Sequence, residues 1–182
     1  MTQSKNKGFT LLETLIAFVV LTVGLLGAVA LQAQAKKASY DSLQRAAALS
    51  LGNDILERIG SNDTGAALAV YSTSFSSTDK ENTALANACF NAACTTVQLA
   101  QFDLEQWRRA IKAQDGTGTL SGATVCIEST IIGANITLTV NITWLGRQKL
   151  VQGTENSKVS CGDVSGQRKL VSLERFILMR NA

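Results

Sequence analysis

The sequence predicts an α+β chain: a long N-terminal helix, membrane-spanning in its first half and amphipathic in its second, packed on a small antiparallel β-sheet, with one short extra helix. Three observations carry this. Residues 9–31 hold a single charge, Glu13. Apolar residues then recur at every fourth position from Leu43 to Ile59. From residue 123 onward the period drops to two, the spacing of strands with one buried face.

As a helix, Phe9–Leu31 is about 35 Å long, enough for a hydrocarbon core of about 30 Å. Glu13 is its anomaly, because a carboxylate there costs on the order of 3 kcal/mol even on the lenient insertion scale. A secretory signal peptide has small-x-small cleavage sites at Ala28-Val29-Ala30 and Ala33-Gln34-Ala35. Its apolar run would be too long for an h-region, and it contains a carboxylate. An ordinary signal anchor leaves Glu13 as an unexplained cost. Charge does not orient the segment, since Lys5 and Lys7 precede it and Lys36 and Lys37 follow it.

A third reading gives Glu13 a role. The stretch "KGFTLLETL" resembles the class III, or prepilin, signal of type IV pilins and type II secretion pseudopilins: a basic leader ending in glycine, then Phe-Thr-Leu-Leu-Glu. The following "LTVGLLGAVALQAQA" is similar to the minor pilin PilV family (type IV pilus modification protein) and to its type II secretion relative GspI. The resemblance implies a pilin-like fold and a division into a leader (1–8), a transmembrane and assembly helix (9–36) and a periplasmic globular head (37–182). It also implies that prepilin peptidase cuts between Gly8 and Phe9, that Phe9 becomes N-methylated, and that Glu13 is the fifth residue of the mature chain. The implied protein is a minor pilin, a structural subunit contributing to pilus initiation or to a tip complex. It starts as a single-pass inner-membrane protein and ends in the pilus at the cell surface. Its implied partners are other minor pilins, the major pilin, prepilin peptidase and the inner membrane; no cofactor is implied. A type II secretion minor pseudopilin has nearly the same sequence logic and stays open, as does a tip-located pilin that binds a ligand or DNA.

The chemistry of Glu13 agrees with that resemblance. Cleavage would expose an ammonium at Phe9, and the carboxylate of one subunit can meet the amine of its neighbour. Buried in low dielectric, an unmatched charge is costly while a matched pair is tolerated. Glu13 would then set the register of assembly. Gly8 suits cleavage because a missing side chain lets a peptidase approach the backbone.

The helix is expected to continue to Ile59, with Leu43, Ala47, Leu51, Ile55 and Ile59 on one face and Gly60-Ser61-Asn62-Asp63 as its stop. Gly24 and Gly27 are its weakest points. Residues 61–88, rich in Ser, Thr, Asn and Ala, read as a long surface connection. Residues 95–116 read as the extra helix, with Val97, Ala100, Leu104, Trp107 and Ile111 as its apolar face. Asp103, Glu105, Arg108 and Arg109 fall on its other sides and are expected to be exposed charges. Strands follow at 123–132 and 135–146, joined at Gly133-Ala134-Asn135, with Ile136, Leu138, Val140, Ile142 and Trp144 sharing one face. A last strand runs roughly from Lys169 to Met179, and the outward half of the long helix is expected to cover the sheet. The N-x-[S/T] triplets at Asn62, Asn135 and Asn141 read as chance matches on Thr-rich strands and loops.

Cys89, Cys94, Cys126 and Cys161 all follow the apolar run, an even number in an oxidising compartment, so two disulfides are expected. Three connectivities are possible, of which Cys89–Cys94 with Cys126–Cys161 is favoured. The spacing lacks the paired knuckles of a structural zinc site, so no metal is expected. No catalytic residues are expected either. The chain has no histidine to serve as a base, and no P-loop, Rossmann glycine pattern, HExxH or Gly-x-Ser-x-Gly. The formal charge of +3 shrinks once Lys5 and Lys7 are set aside, leaving 15 basic against 14 acidic residues. With no basic run interleaved with aromatics, nucleic acid is not an expected partner.

Overall fold

The structure is a computed structural model and describes residues 8–86, 89–90, 92–133, 135–147, 153, 158–162 and 166–178. Residues 1–7 of the expected leader, Ala134 of the expected hairpin turn and Met179 of the expected last strand lie outside these. The chain forms two compact units, Met1–Tyr40 and Asp41–Ala182. Helix α1, Leu11–Ser61, contributes to both.

In the first unit the described chain has no regular secondary structure at Gly8–Thr10 and is helical from Leu11. Among the described residues α1 is the one helix long and apolar enough to cross a membrane, and its large apolar side chains from Leu11 to Leu31 are all exposed.

The second unit is a four-stranded antiparallel sheet in the order β1-β2-β3-β4, with helices on one face. The strands are β1 (Ser74–Ser76), β2 (Thr124–Ile132), β3 (Asn135–Leu145) and β4 (Arg168–Leu178). The turn from β2 into β3 uses Gly133 at φ +64°, a left-handed conformation that glycine adopts without Cβ strain. From Ile136 to Trp144 every second residue of β3 is buried, and these apolar side chains form the floor of the core.

Two helices supply most of the cover of that core, with Ala67, Leu68 and Tyr71 beside them. From α1 come Ala48, Leu51, Ile55, Leu56 and Ile59; from α4 (Thr96–Gly116) come Ala100, Leu104, Trp107 and Ile111. Leu51, Ile55 and Ile59 belong to the predicted α1 face, but Leu43 is exposed and Gln44, Ala48 and Gly52 are buried instead. Helix α4 starts with a reciprocal capping box: the Gln98 N–H donates to Thr95 Oγ1 (3.3 Å) and the Thr95 N–H to Gln98 Oε1 (2.9 Å).

Residues 61–88 are more structured than the sequence predicted. The described residues here hold α2 (Gly65–Tyr71, capped by Thr64), β1 and α3 (Thr83–Ala86), two helices and a strand where a surface connection was expected. The Asn62 and Asn141 side chains are buried, so those two triplets are closed to glycosylation.

Gly52 marks the closest approach of α1 to the sheet. A Cβ there would lie 2.3 Å from Leu173 Cδ1 and 3.3 Å from Ile142 Cδ1. Gly52→Ala is expected to be near neutral, because helix propensity gains about 1 kcal/mol while the Leu173 methyl swings aside. Gly52→Ile is expected to destabilise by about 1–3 kcal/mol through overpacking. Chemical denaturation of the two variants checks this, and equal stability of both would contradict the close-approach reading.

Candidate functional site

The expected processing and assembly residues lie together at the start of the first unit. Gly8 and Phe9 precede the helix and are exposed. A Cβ built on Gly8 meets nothing within 4 Å, so packing within the described chain does not demand glycine there. Thr10 opens the helix: its Oγ1 accepts from the Glu13 N–H at 3.3 Å, and its carbonyl accepts from the Glu13 and Thr14 N–H groups at 3.1 and 3.3 Å. Thr10-x-x-Glu13 is thus a capping-box spacing, legible in sequence but not predicted, of which only the threonine's half is present. Glu13 stands in the first turn, where a negative charge also suits the helix dipole. It is exposed, and among the described residues its carboxylate enters no ion pair.

The expected cysteine residues lie in the second unit. Cys89 bonds Cys94 (S–S 2.02 Å) and Cys126 bonds Cys161 (S–S 2.05 Å). The second bond fastens residues 160–162 onto the face of the sheet opposite the helices. There Gly162 has φ +68°, and a Cβ on it would sit 2.6 Å from Thr143 Oγ1. That cover is why Asn141 and Thr143 are buried although they point away from the helices.

A polar lock joins α1, α2 and α4, and the sequence reading missed it. Asp103 is 4% exposed and Glu105 is fully buried, so the expectation of exposed helical charges is corrected. The Tyr71 hydroxyl donates to Asp103 Oδ2 at 2.6 Å, and Arg58 Nη1 donates to Asp103 Oδ1 at 3.0 Å. Asn62 Nδ2 donates to Tyr71 Oη at 3.2 Å and to the Thr96 carbonyl at 2.7 Å. Trp107 Nε1 donates to Asp54 Oδ2 at 2.8 Å, and Arg58 also bridges to Asp54 at 3.2 Å. Glu105 accepts from the Asn82 N–H at 2.7 Å and from Arg108 at 3.2 Å. Burial, then the bond to Asp103, pushes the Tyr71 hydroxyl pKa well above the usual tyrosine range. Burial works against the Arg58 charge, but its bonds to Asp103 and Asp54 outweigh it and raise its pKa. The carboxylates of the lock are matched by donors within the fold. Among the described residues no three His, Cys, Asp or Glu side chains are grouped to hold a metal ion.

The prokaryotic N-terminal methylation motif matches residues 3–29. The family described as Type IV pilin Tt1218 matches residues 30–105. The two matches support a type IV pilin. No curated protein and no solved structure matches the chain significantly. The two family matches likewise support a structural pilin subunit, and the exposed apolar helix and prepilin motif fit membrane anchoring and a pilus. The methylation motif implies processing by prepilin peptidase and assembly with other pilins. The methylation match ends, and the pilin match begins, within α1.

Proposed function

We infer that the chain is a type IV pilin, a minor subunit of the PilV type, cut between Gly8 and Phe9, N-methylated on Phe9 and built into a filament through Glu13. The leader would be residues 1–8, the membrane and assembly helix 9–36, and the head, carried outside the inner membrane, 37–182. The observation that carries this reading is Glu13: a carboxylate in the first turn of an exposed apolar helix, in no ion pair among the described residues. In the mature chain the Phe9 ammonium of a neighbouring subunit is the partner that would neutralise it, and the pairing would fix how far one helix sits along the next. Gly8, whose missing side chain no described packing requires, supports cleavage at that bond. The match to a type IV pilin family supports the pilus rather than a secretion system.

The test combines N-terminal sequencing with one substitution. Wild-type chain recovered from sheared filaments should begin at N-methylated Phe9. Glu13→Gln should still lose residues 1–8 yet be depleted at least tenfold from filaments, since a buried ammonium left unmatched costs several kcal/mol. Undiminished incorporation of Glu13→Gln, or a mature chain starting near Lys36, would overturn the reading.

A further inference from the structure

The sheet face opposite the helices is only partly covered. Beyond the Cys126–Cys161 bond the register sets out two uncovered rungs at the hairpin end, Thr130–Thr137–Phe176 and Ile132–Asn135–Leu178. Ile132, Phe176 and Leu178 are 72%, 76% and 71% exposed and wall a shallow trough floored by Asn135 and Thr137. Its walls stand on β2 and β4, two strand spacings or about 10 Å apart, which is about the width of an α-helix with its side chains. The next rung, about 7 Å along the strands, places Glu128 and Glu174 on either side of Thr139. Both glutamates are exposed, and neither enters an ion pair among the described residues. The patch is therefore apolar at one end and doubly acidic at the other.

The chain carries the complementary pattern on α1. Lys36 and Lys37 are exposed neighbours, about 100° apart around the helix axis. Tyr40, 48% exposed, follows one turn later at i+4 and i+3 from them, on the same side. Two cations with an aromatic about 5 Å further along match two carboxylates with an apolar trough beside them.

We propose that the trough of one subunit receives the Lys36–Tyr40 stretch of a second copy, with the two lysines on Glu128 and Glu174 and Tyr40 among Ile132, Phe176 and Leu178. This deepens the filament reading and rests on it. The two patches differ, so the contact is heterologous: it joins two adjoining copies and does not close a two-fold dimer. Exposed ion pairs contribute about 0–1 kcal/mol each, too little to hold free subunits together. Helices already packed side by side supply the effective concentration that makes so weak a contact count.

A photocrosslinking benzoylphenylalanine at position 176 of the full chain, expressed with a differently tagged wild-type copy, tests the contact. The crosslink should map to the peptide containing Lys36–Tyr40 of the other copy. Glu128→Lys with Glu174→Lys should abolish it, and Lys36→Glu with Lys37→Glu in the other copy should restore it. A crosslink to lipid, to another protein or elsewhere on the chain overturns the proposal, and so does indifference to both charge reversals. The filament reading is scored separately, by a mature start at Phe9 and co-purification with filaments. Incorporated chain lacking the crosslink overturns the docking alone; chain that is neither processed nor incorporated overturns both.

Discussion

Replacing Cys126 and Cys161 together by serine is expected to cost the head about 3–4 kcal/mol of stability. The bond joins positions 35 apart in sequence, and the chain-entropy model gives that much for so long a loop. Cys89–Cys94 spans only 5 positions, for which the same model gives about 2 kcal/mol. The difference should be widened by what each bond holds down. Cys161 is buried, and the residue after it presses on Thr143 and Thr124 so closely that only glycine fits. Freeing this segment re-exposes Asn141 and Thr143 and removes cover from β2 and β3. Denaturant titration of the two double-serine variants, in the detergent used for the wild type, gives the comparison. A loss below about 1 kcal/mol at the Cys126–Cys161 pair, or a larger loss at Cys89–Cys94, would contradict the chain-entropy account.

What could be read from the sequence was whatever local periodicity encodes. The strands predicted at 123–132 and 135–146 are found at 124–132 and 135–145, and the helix predicted at 95–116 at 96–116. The period-two alternation fixed which β3 residues are buried inward, and the N-terminal apolar run is a helix as expected. Partners distant in the chain were not legible. Asp103 looked solvated because it is a charged residue off the apolar face of α4. Its burial is compensated by Arg58 and Tyr71, which lie 45 and 32 positions away. The α1 face was misplaced around Leu43 because Gln44 and Gly52 are not apolar enough to register in a hydrophobic pattern. Gly52 is buried because the sheet comes so close, and only the packed fold reveals that. Helix α2 was missed because a seven-residue helix leaves little periodic signal, although Thr64 was available as a cap. At the assembly segment the position of Glu13 could be read from the motif, and the Thr10-x-x-Glu13 spacing of the cap stood in the sequence as well.

The second large effect is expected at the lock. Asp103→Ala should cost about 2–3 kcal/mol: it strips the buried Tyr71 hydroxyl and the Arg58 guanidinium of their shared acceptor. The full cost of breaking a buried pair, about 3–5 kcal/mol, is not expected, because the Arg58 side chain is 41% exposed and water can replace one partner. Tyr71→Phe should cost about 1–2 kcal/mol and should also change the pH dependence. In the unfolded chain Tyr71 titrates near the usual value of about 10, whereas in the fold burial and Asp103 hold its proton to higher pH. Below about pH 10 both states keep the proton, and this contribution is intact. Above it the unfolded chain releases a proton that the folded chain retains, so stability falls as pH rises, by at most about 1.4 kcal/mol per unit. Tyr71→Phe lacks that proton, so its stability deficit relative to wild type should narrow as the pH climbs above about 10. Parallel alkaline curves for the two proteins would mean that the hydroxyl is not held against Asp103. Helix α2 would then be held on α4 by apolar packing, Tyr71 against Trp107 included.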